Sequence, residues 1–281
     1  MAGAYDDRDG KIWMDGKLIE WRDANVHILT HAMHYASSVF EGERCYSGKI
    51  FKSLEHTKRL HTSANLIDFE IPFSVDEIEA AKMETLKANG LTDAYVRPVA
   101  WRGSGEDMGV AAKRNKVHLA IAVWEWGNYY GDAKTKGAKL DIAKWKRPSP
   151  ETAPSQAKAA GLYMIATMSK HAAEAKGCSD ALMFDYRGYV AEATGANMFF
   201  VKNGEVHTPT PDAFLNGRPS FTEGDKIVIE RHVSFLANRP YLDTKTYKVR
   251  SINTDTGNLW LWDEQLQQSA SDNYKAGIAS G

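Results

Sequence analysis

One lysine in this chain is set apart by its neighbours. The stretch Ala153 to Tyr163 reads Ala-Pro-Ser-Gln-Ala-Lys-Ala-Ala-Gly-Leu-Tyr, and Lys158 has no charged residue within four positions on either side. A lysine in small apolar surroundings loses the hydration that favours its charged form, and the neutral amine is a usable nucleophile. Gly161 permits close backbone approach, and Tyr163 sets a phenol nearby. A surface lysine on an alanine-rich turn reads the same way over so short a stretch. Further on, Gly188 to Asn197 presents Glu192 at the end of an apolar run, ahead of a Thr-Gly pair. A lone carboxylate there is a candidate partner for a cation.

Other residues join these two. Tyr95 and Arg97 share one face of an alternating stretch, Ala94 to Trp101. Arg59 lies on a segment of helical spacing, Glu55 to Ile67, where a solvated helix arginine is equally in keeping with the pattern. His27, His31 and His34 are spaced like metal ligands on a helix. A zinc site needs a fourth group and a suitable acid, so the favoured reading is polar and core histidines near a pocket, with no metal. Gly103 to Gly109 is glycine-rich but lacks the Lys and Ser/Thr positions of a phosphate loop.

A lysine and an acid that holds a pyridinium nitrogen are what pyridoxal 5'-phosphate (PLP) requires of a protein. Together with Val39-Phe-Glu-Gly-Glu-Arg-Cys-Tyr46, the Lys158 and Glu192 stretches resemble the fold-type IV (class IV) PLP aminotransferases, and more narrowly the branched-chain amino-acid aminotransferases. The separation of Lys158 from Glu192 also suits that family. The resemblance implies an α/β fold of two domains, a small N-terminal α/β domain and a larger pseudo-barrel domain. It implies PLP as cofactor and transamination of L-leucine, L-isoleucine and L-valine with 2-oxoglutarate. It makes Lys158 the Schiff-base lysine, Tyr163 a neighbour of the ring oxygen, and Glu192 the pyridinium partner. Arg59, Gly195, Asn197, Gly217 and Ser220 complete the implied cofactor contacts. Tyr35, Phe40, Tyr95, Arg97, Trp126 and Tyr129 are the implied substrate contacts, Arg97 receiving the second carboxylate of glutamate or 2-oxoglutarate. A homodimer or larger assembly follows by the same resemblance.

The resemblance runs from about Asp9 to Gly217 and then departs. Arg218-Pro219-Ser220 stands where the family has Ile-Thr-Arg opening a phosphate-binding helix, and the later Gly-Thr-Ala loop is missing. Ala196 replaces a usual acid, a smaller departure. Ser220-Phe-Thr-Glu223 matches a capping box that can open a helix, although Gly224-Asp225 argues against its continuing. Weaker PLP binding is expected on this account. Two rivals follow. One is a D-amino-acid aminotransferase or aminodeoxychorismate lyase of the same fold, against which the Tyr95-x-Arg97 pair argues. The other is a non-catalytic homologue with a defective phosphate site.

These residues need elements to carry them. Asp15-Gly16 between apolar runs predicts a hairpin over Ile12 to Trp21. Ser74-Val-Asp-Glu77 is a capping box, and Asn89-Gly90 ends the helix it opens. Val117 to Trp124 reads as an apolar strand. A small domain over 1–125, a linker over 126–137 and a large domain over 138–281 are expected, with 218–281 atypical. In the large domain a helix is expected over Leu162 to Lys176, a strand over Ala181 to Asp185, and a hairpin turning at Asn203-Gly204.

At 281 residues, 43% hydrophobic and 25% charged, the chain has ordinary globular composition. A net charge of −1 gives no reason to expect a nucleic-acid or membrane surface. Two distant cysteines and a polar N-terminus without an apolar signal region lead to the expectation of a reducing, cytoplasmic setting.

Overall fold

The computed structural model describes residues 4–127, 137–202, 205–209, 227–228, 244–253, 258–263 and 268–269. Tyr129, Gly217, Ser220, the capping box at 220–223, the Asn203-Gly204 turn and nearly all of the expected linker lie outside them. The chain divides into two compact units: 1–126 with 156–163, and 127–155 with 164–281. The sequence reading puts Lys158 beyond the linker. The segment Gln156–Tyr163 nevertheless groups with the first unit, for reasons of backbone pairing given below.

The first unit is built on a seven-stranded sheet. Its strands are β1 (Lys11–Met14), β2 (Lys17–Glu20), β3 (Ser38–Phe40), β4 (Glu43–Tyr46), β5 (Lys49–Ile50), β6 (Ala94–Arg102) and β7 (Val117–Trp124). They run in the order β2-β1-β7-β6-β4-β5, with β3 pairing to β6 off that path. Asp15, at φ 50°, and Gly16, at φ 96°, turn β1 into β2, as the Asp-Gly signal requires. Strand alternation divides the side chains of β7. Leu119, Ile121 and Val123 enter one core with Leu60 and Ile78, while Ala120 joins Trp101, Ile12 and Trp21 in another.

The helices of this unit are α1 (His31–Tyr35), α2 (Ser53–Leu66) and α3 (Val75–Ala88). In α2, Leu60 and Ala64 are fully buried, as the helical spacing demands. In α3, Glu77 N donates to Ser74 Oγ while Ser74 N donates back to Glu77 Oε2, so both halves of the capping box form. Helix α1 is shorter than the histidine spacing invites. Ala36 adopts a left-handed conformation and ends it, and Ser38 enters β3. His27 precedes the helix and takes Leu29 N, His31 meets Ser37 Oγ at 2.7 Å, and His34 donates to Ile28 O.

Beneath α2 and α3 lies a fully buried ion pair. Lys82 Nζ is 2.8 Å from the Glu43 carboxylate, and both side chains are inaccessible to solvent. Lys82 also donates to Thr57 Oγ1 at 2.6 Å and Glu79 Oε1 at 3.0 Å. Burial pushes the Glu43 carboxyl up, and the charge and hydrogen bond of Lys82 oppose it.

In the second unit, β8 (Leu140–Ile142) runs parallel to β9 (Asp180–Phe184), which pairs antiparallel with β10 (Val190–Ala193). Helix α4 (Met164–Ala175) ends at Gly177, φ 72°. A further sheet joins β11 (Phe200–Lys202), β12 (Glu205–Pro209), β13 (Ile227–Val228), β14 (Thr244–Asn253), β15 (Asn258–Asp263) and β16 (Gln268–Ser269). The Leu-Trp-Leu-Trp run forms most of β15. Among the described residues no helix is long and apolar enough to cross a membrane.

Lys82→Met strands two carboxylates under the helices, so it is expected to destabilise the protein by about 3–5 kcal/mol. The double variant Lys82→Met/Glu43→Gln is expected to recover more than half of that loss. Denaturant unfolding of the four proteins of the cycle measures the coupling.

Candidate active site

Small residues explain how Lys158 comes to be buried. Ala157 and Ala159 are 0% and 4% exposed, and they pack into the core that Leu60 and Val39 share. Val39 and Ala159 form an antiparallel bridge. Phe40 N donates to Lys158 O at 3.2 Å, and Lys158 N donates to Ser63 Oγ at 3.0 Å. The segment thus adds itself to β3 and is latched to α2. A Cβ on Gly161 would stand 2.9 Å from the Ala36 side chain, which is why glycine is required there.

The result is a lysine only 3% exposed. Its Nζ donates to Tyr163 OH at 2.9 Å. It also lies 5.0 Å from the Phe40 ring centroid and 5.3 Å from that of Tyr163. Among the described residues no carboxylate pairs with it. A buried ammonium without a counter-ion is costly, so this position suits an anionic ligand.

A second cation faces the same ring. The Arg97 guanidinium lies 4.6 Å from the Phe40 centroid, and its Nη2 donates to Tyr95 OH at 2.7 Å. Its Nε is buried with no hydrogen-bond partner among the described residues. Burial pushes the Tyr95 phenol up, Arg97 opposing. Tyr95 packs on Trp124 and Trp126 at 4.9 and 4.5 Å between centroids. Phe40, Tyr95, Arg97, Trp126, Lys158 and Tyr163 are therefore brought together: aromatic walls, one amine, and one guanidinium with an unspent donor. Such a set accommodates an apolar side chain and a carboxylate. Tyr35 is turned elsewhere, its phenol donating to Met108 O at 3.1 Å and its ring stacked on His31.

Arg59 is held by a residue that sequence reasoning passed over. Glu41, fully buried, accepts from Arg59 Nε on Oε1 at 2.6 Å and from Nη2 on Oε2 at 2.7 Å, and His56 Nδ1 lies 2.8 Å from the same Oε2. Burial pushes the Glu41 carboxyl up, but the Arg59 charge and the hydrogen bonds from Arg59 and His56 override this and hold it below the ordinary carboxylate range. Nη1 of Arg59 makes no hydrogen bond to a described residue, so the fork that grips Glu41 leaves a donor for an anion. The visible signal was a glutamate inside the apolar run Ser38 to Gly42.

In the second unit, Glu192 sits on β10 with its side chain 8% exposed. Arg147, 3% exposed, places Nε 2.9 Å from Glu192 Oε1. Its Nη2 donates to Ala193 O and Thr194 O at 3.0 and 3.3 Å. Sequence reasoning missed this residue also, since Trp-Lys-Arg-Pro carries no pattern that points to it. Gly195 is exposed in the turn after Thr194, and Asn197 bridges back to Glu192.

Comparison with known proteins gives consistent results. The family model described as Amino-transferase class IV matches residues 38–217. The chain is 42% identical over 216 residues to the branched-chain-amino-acid aminotransferase of Pseudomonas aeruginosa, covering 75% of this chain and 70% of that protein. It is 37% identical over 263 residues to the enzyme of the same name from Escherichia coli K12, covering 88% and 85%. Among solved structures, an Escherichia coli branched-chain amino acid aminotransferase matches with TM-score 0.70 and 36% identity, over 73% of this chain and 69% of that one. A T.th. branched-chain amino acid aminotransferase complexed with N-(5'-phosphopyridoxyl)-L-glutamate matches with TM-score 0.69 and 38% identity, over 75% and 70%.

The Glu41 pair carries a pH signature. Its carboxyl is depressed below the ordinary 4.5, so its contribution is complete above about pH 5.5 and drains as pH falls through the folded-state value. Glu41→Gln is expected to cost about 3 kcal/mol at pH 7. The gap in urea midpoint between wild type and variant should narrow between pH 5 and 3, and a gap constant with pH would refute the assignment.

Proposed function

The chain belongs to the class IV aminotransferase family, and on that premise we propose that it transfers the amino group of L-leucine, L-isoleucine or L-valine to 2-oxoglutarate. The products are the branched-chain 2-oxo acids and L-glutamate. The observation that carries this reading is the pair of cations set against Phe40: the buried Lys158 amine, hydrogen-bonded to Tyr163, and Arg97 with a spare buried donor.

The donor set suits PLP. Lys158 is a buried amine without a carboxylate, Arg59 is a fixed guanidinium with Nη1 unspent, and Glu192 is a buried carboxylate. We assign Lys158 to the cofactor's aldehyde carbon, Tyr163 to its ring oxygen, and Glu192 to its ring nitrogen. We assign its phosphate to Arg59 and Ser220, and count Gly195, Asn197 and Gly217 among its further contacts. When bound, PLP supplies a carbon that accepts the amino group and a ring that accepts the electron pair released at the substrate's Cα.

The chain's own residues then do the following. Lys158, as a free amine, would take the proton from the substrate Cα and give it up again to complete the proton shift. Tyr163 orients that amine through its hydroxyl. Phe40, Tyr95 and Trp126 face the branched side chain and exclude water. Arg97 receives the second carboxylate when glutamate or 2-oxoglutarate occupies the same place, a task for which a guanidinium fork is suited. The Tyr95–Arg97 pair also favours this reading over a D-amino-acid aminotransferase or a lyase of the same fold. A homodimer or larger assembly belongs to the proposal; exposed Ile28, Met33 and Val110 are the side chains it would cover.

Lys158→Ala is expected to abolish transamination of L-leucine and the borohydride-reducible attachment of PLP, while thermal unfolding stays that of a folded protein. Retention of the attachment would move the role to another lysine. Arg97→Met is expected to raise KM for 2-oxoglutarate at least tenfold, about the loss of one charge-assisted hydrogen bond, and to leave the half-reaction with L-leucine within threefold. Equal losses for both substrates would remove Arg97 from the second-carboxylate role.

A further inference from the structure

Glu192 comes with a cation already attached. We infer that Arg147 is a positioning residue whose guanidinium, held against Glu192, keeps the proton they would share on the ring nitrogen of the cofactor rather than on the carboxylate. This inference rests on the assignment of Glu192 proposed above.

The geometry leaves Arg147 little freedom. Its backbone N donates to Phe184 O at 2.8 Å, beside β9. Its side chain crosses to the end of β10, where it meets the Glu192 carboxylate and the carbonyls of Ala193 and Thr194. The Nε–Oε1 contact is close but off the N–H axis, so it is an ion pair rather than a hydrogen bond. A guanidinium buried this deeply needs its charge answered, and Glu192 answers it. The other acids nearby have partners of their own. Asp180 accepts from Thr194 Oγ1 at 2.5 Å and stands 3.7 Å from Lys170. Asp185 is gripped by Arg187 and by the backbone N–H groups of residues 187–189.

The chemistry follows from relative proton affinity. A carboxylate and a pyridine nitrogen in hydrogen-bond contact hold one proton between two bases. Burial alone raises the proton affinity of a carboxylate. The proton would then rest on Glu192, and the uncharged ring would be a poor electron acceptor. An adjacent guanidinium reverses this: it stabilises the anion and leaves the proton on nitrogen. A proton-affinity change of one unit is about a tenfold change in that population. The anchors on Ala193 O and Thr194 O serve the same end, because they fix the guanidinium relative to the strand that bears Glu192.

The test uses full-length protein loaded with PLP labelled with nitrogen-15 in the ring. In wild type the ring nitrogen signal is expected at its protonated position. Arg147→Met should move it toward the unprotonated position and lower kcat for L-leucine about tenfold, with KM within twofold. Arg147→Lys, which restores a cation, should return the signal most of the way. In a Glu192→Gln background, where the signal should already be unprotonated, Arg147→Met should change kcat by less than twofold. A wild-type nitrogen signal in folded Arg147→Met overturns the inference, as does an Arg147→Lys signal no different from that of Arg147→Met. So does an equal loss of kcat in the Glu192→Gln background. If Glu192→Gln itself leaves the nitrogen protonated, the assignment of Glu192 fails, and the inference fails with it.

Discussion

The candidate site of the first unit depends on one short backbone graft. Residues 157–161 lie against β3, joined by the Val39–Ala159 bridge, the Phe40 N to Lys158 O bond and the latch from Lys158 N to Ser63. Because the pairing is through the backbone, it sets the direction of the Lys158 side chain without spending any of its own donors. The amine is free to meet Tyr163 and the Phe40 face. The same strand that receives the graft carries Phe40, so wall and nucleophile are placed by one set of hydrogen bonds. Alanines and a glycine are the residues that allow two backbones to approach this closely, and Gly161 against Ala36 is the tightest point.

In each unit the chain also buries charge in pairs. Glu41 grips Arg59, Glu43 grips Lys82, and Arg147 grips Glu192. Such pairs add little net stability, since desolvation offsets most of the attraction. Their value lies in geometry: each removes rotamer freedom from a long side chain at a defined point. The Glu43–Lys82 pair ties β4 to α3 and, through Thr57, to α2. It therefore anchors the helix on which Arg59 is displayed. Lys158 and Arg97 stand in contrast, as cations left without a carboxylate among the described residues. In the first unit the paired charges build the frame, and the other two cations are the ones the proposed site uses.

Much of this was legible because the causes are local. The Asp15-Gly16 hairpin, the Ser74–Glu77 capping box, the strand over Val117 to Trp124 and the helix ended by Gly177 each depend on residues a few positions apart. The shared face of Tyr95 and Arg97 follows from strand alternation alone. The histidines show the limit of spacing. His27, His31 and His34 suit one long helix, yet the left-handed Ala36 and the entry into β3 cut it short, and each imidazole finds its own partner. Glu41 and Arg147 were passed over because their meaning lies in contacts with Arg59, eighteen residues on, and with Glu192, still further away.

The family was legible as a resemblance of motifs, and the candidate lysine and acid as patterns of residue type, an isolated lysine among alanines and a glutamate closing an apolar strand. The sequence also determined the elements that carry them, since turn, cap and alternation signals act over a turn or two of chain. Folding settled that residues 156–163 join the first unit, that two cations meet at Phe40, and that Arg59 and Glu192 each arrive already paired. Those outcomes depend on which distant backbones hydrogen-bond and which buried charges must be neutralised. Both are properties of the folded packing, in which a charge removed from water has to find its partner wherever the fold has placed one.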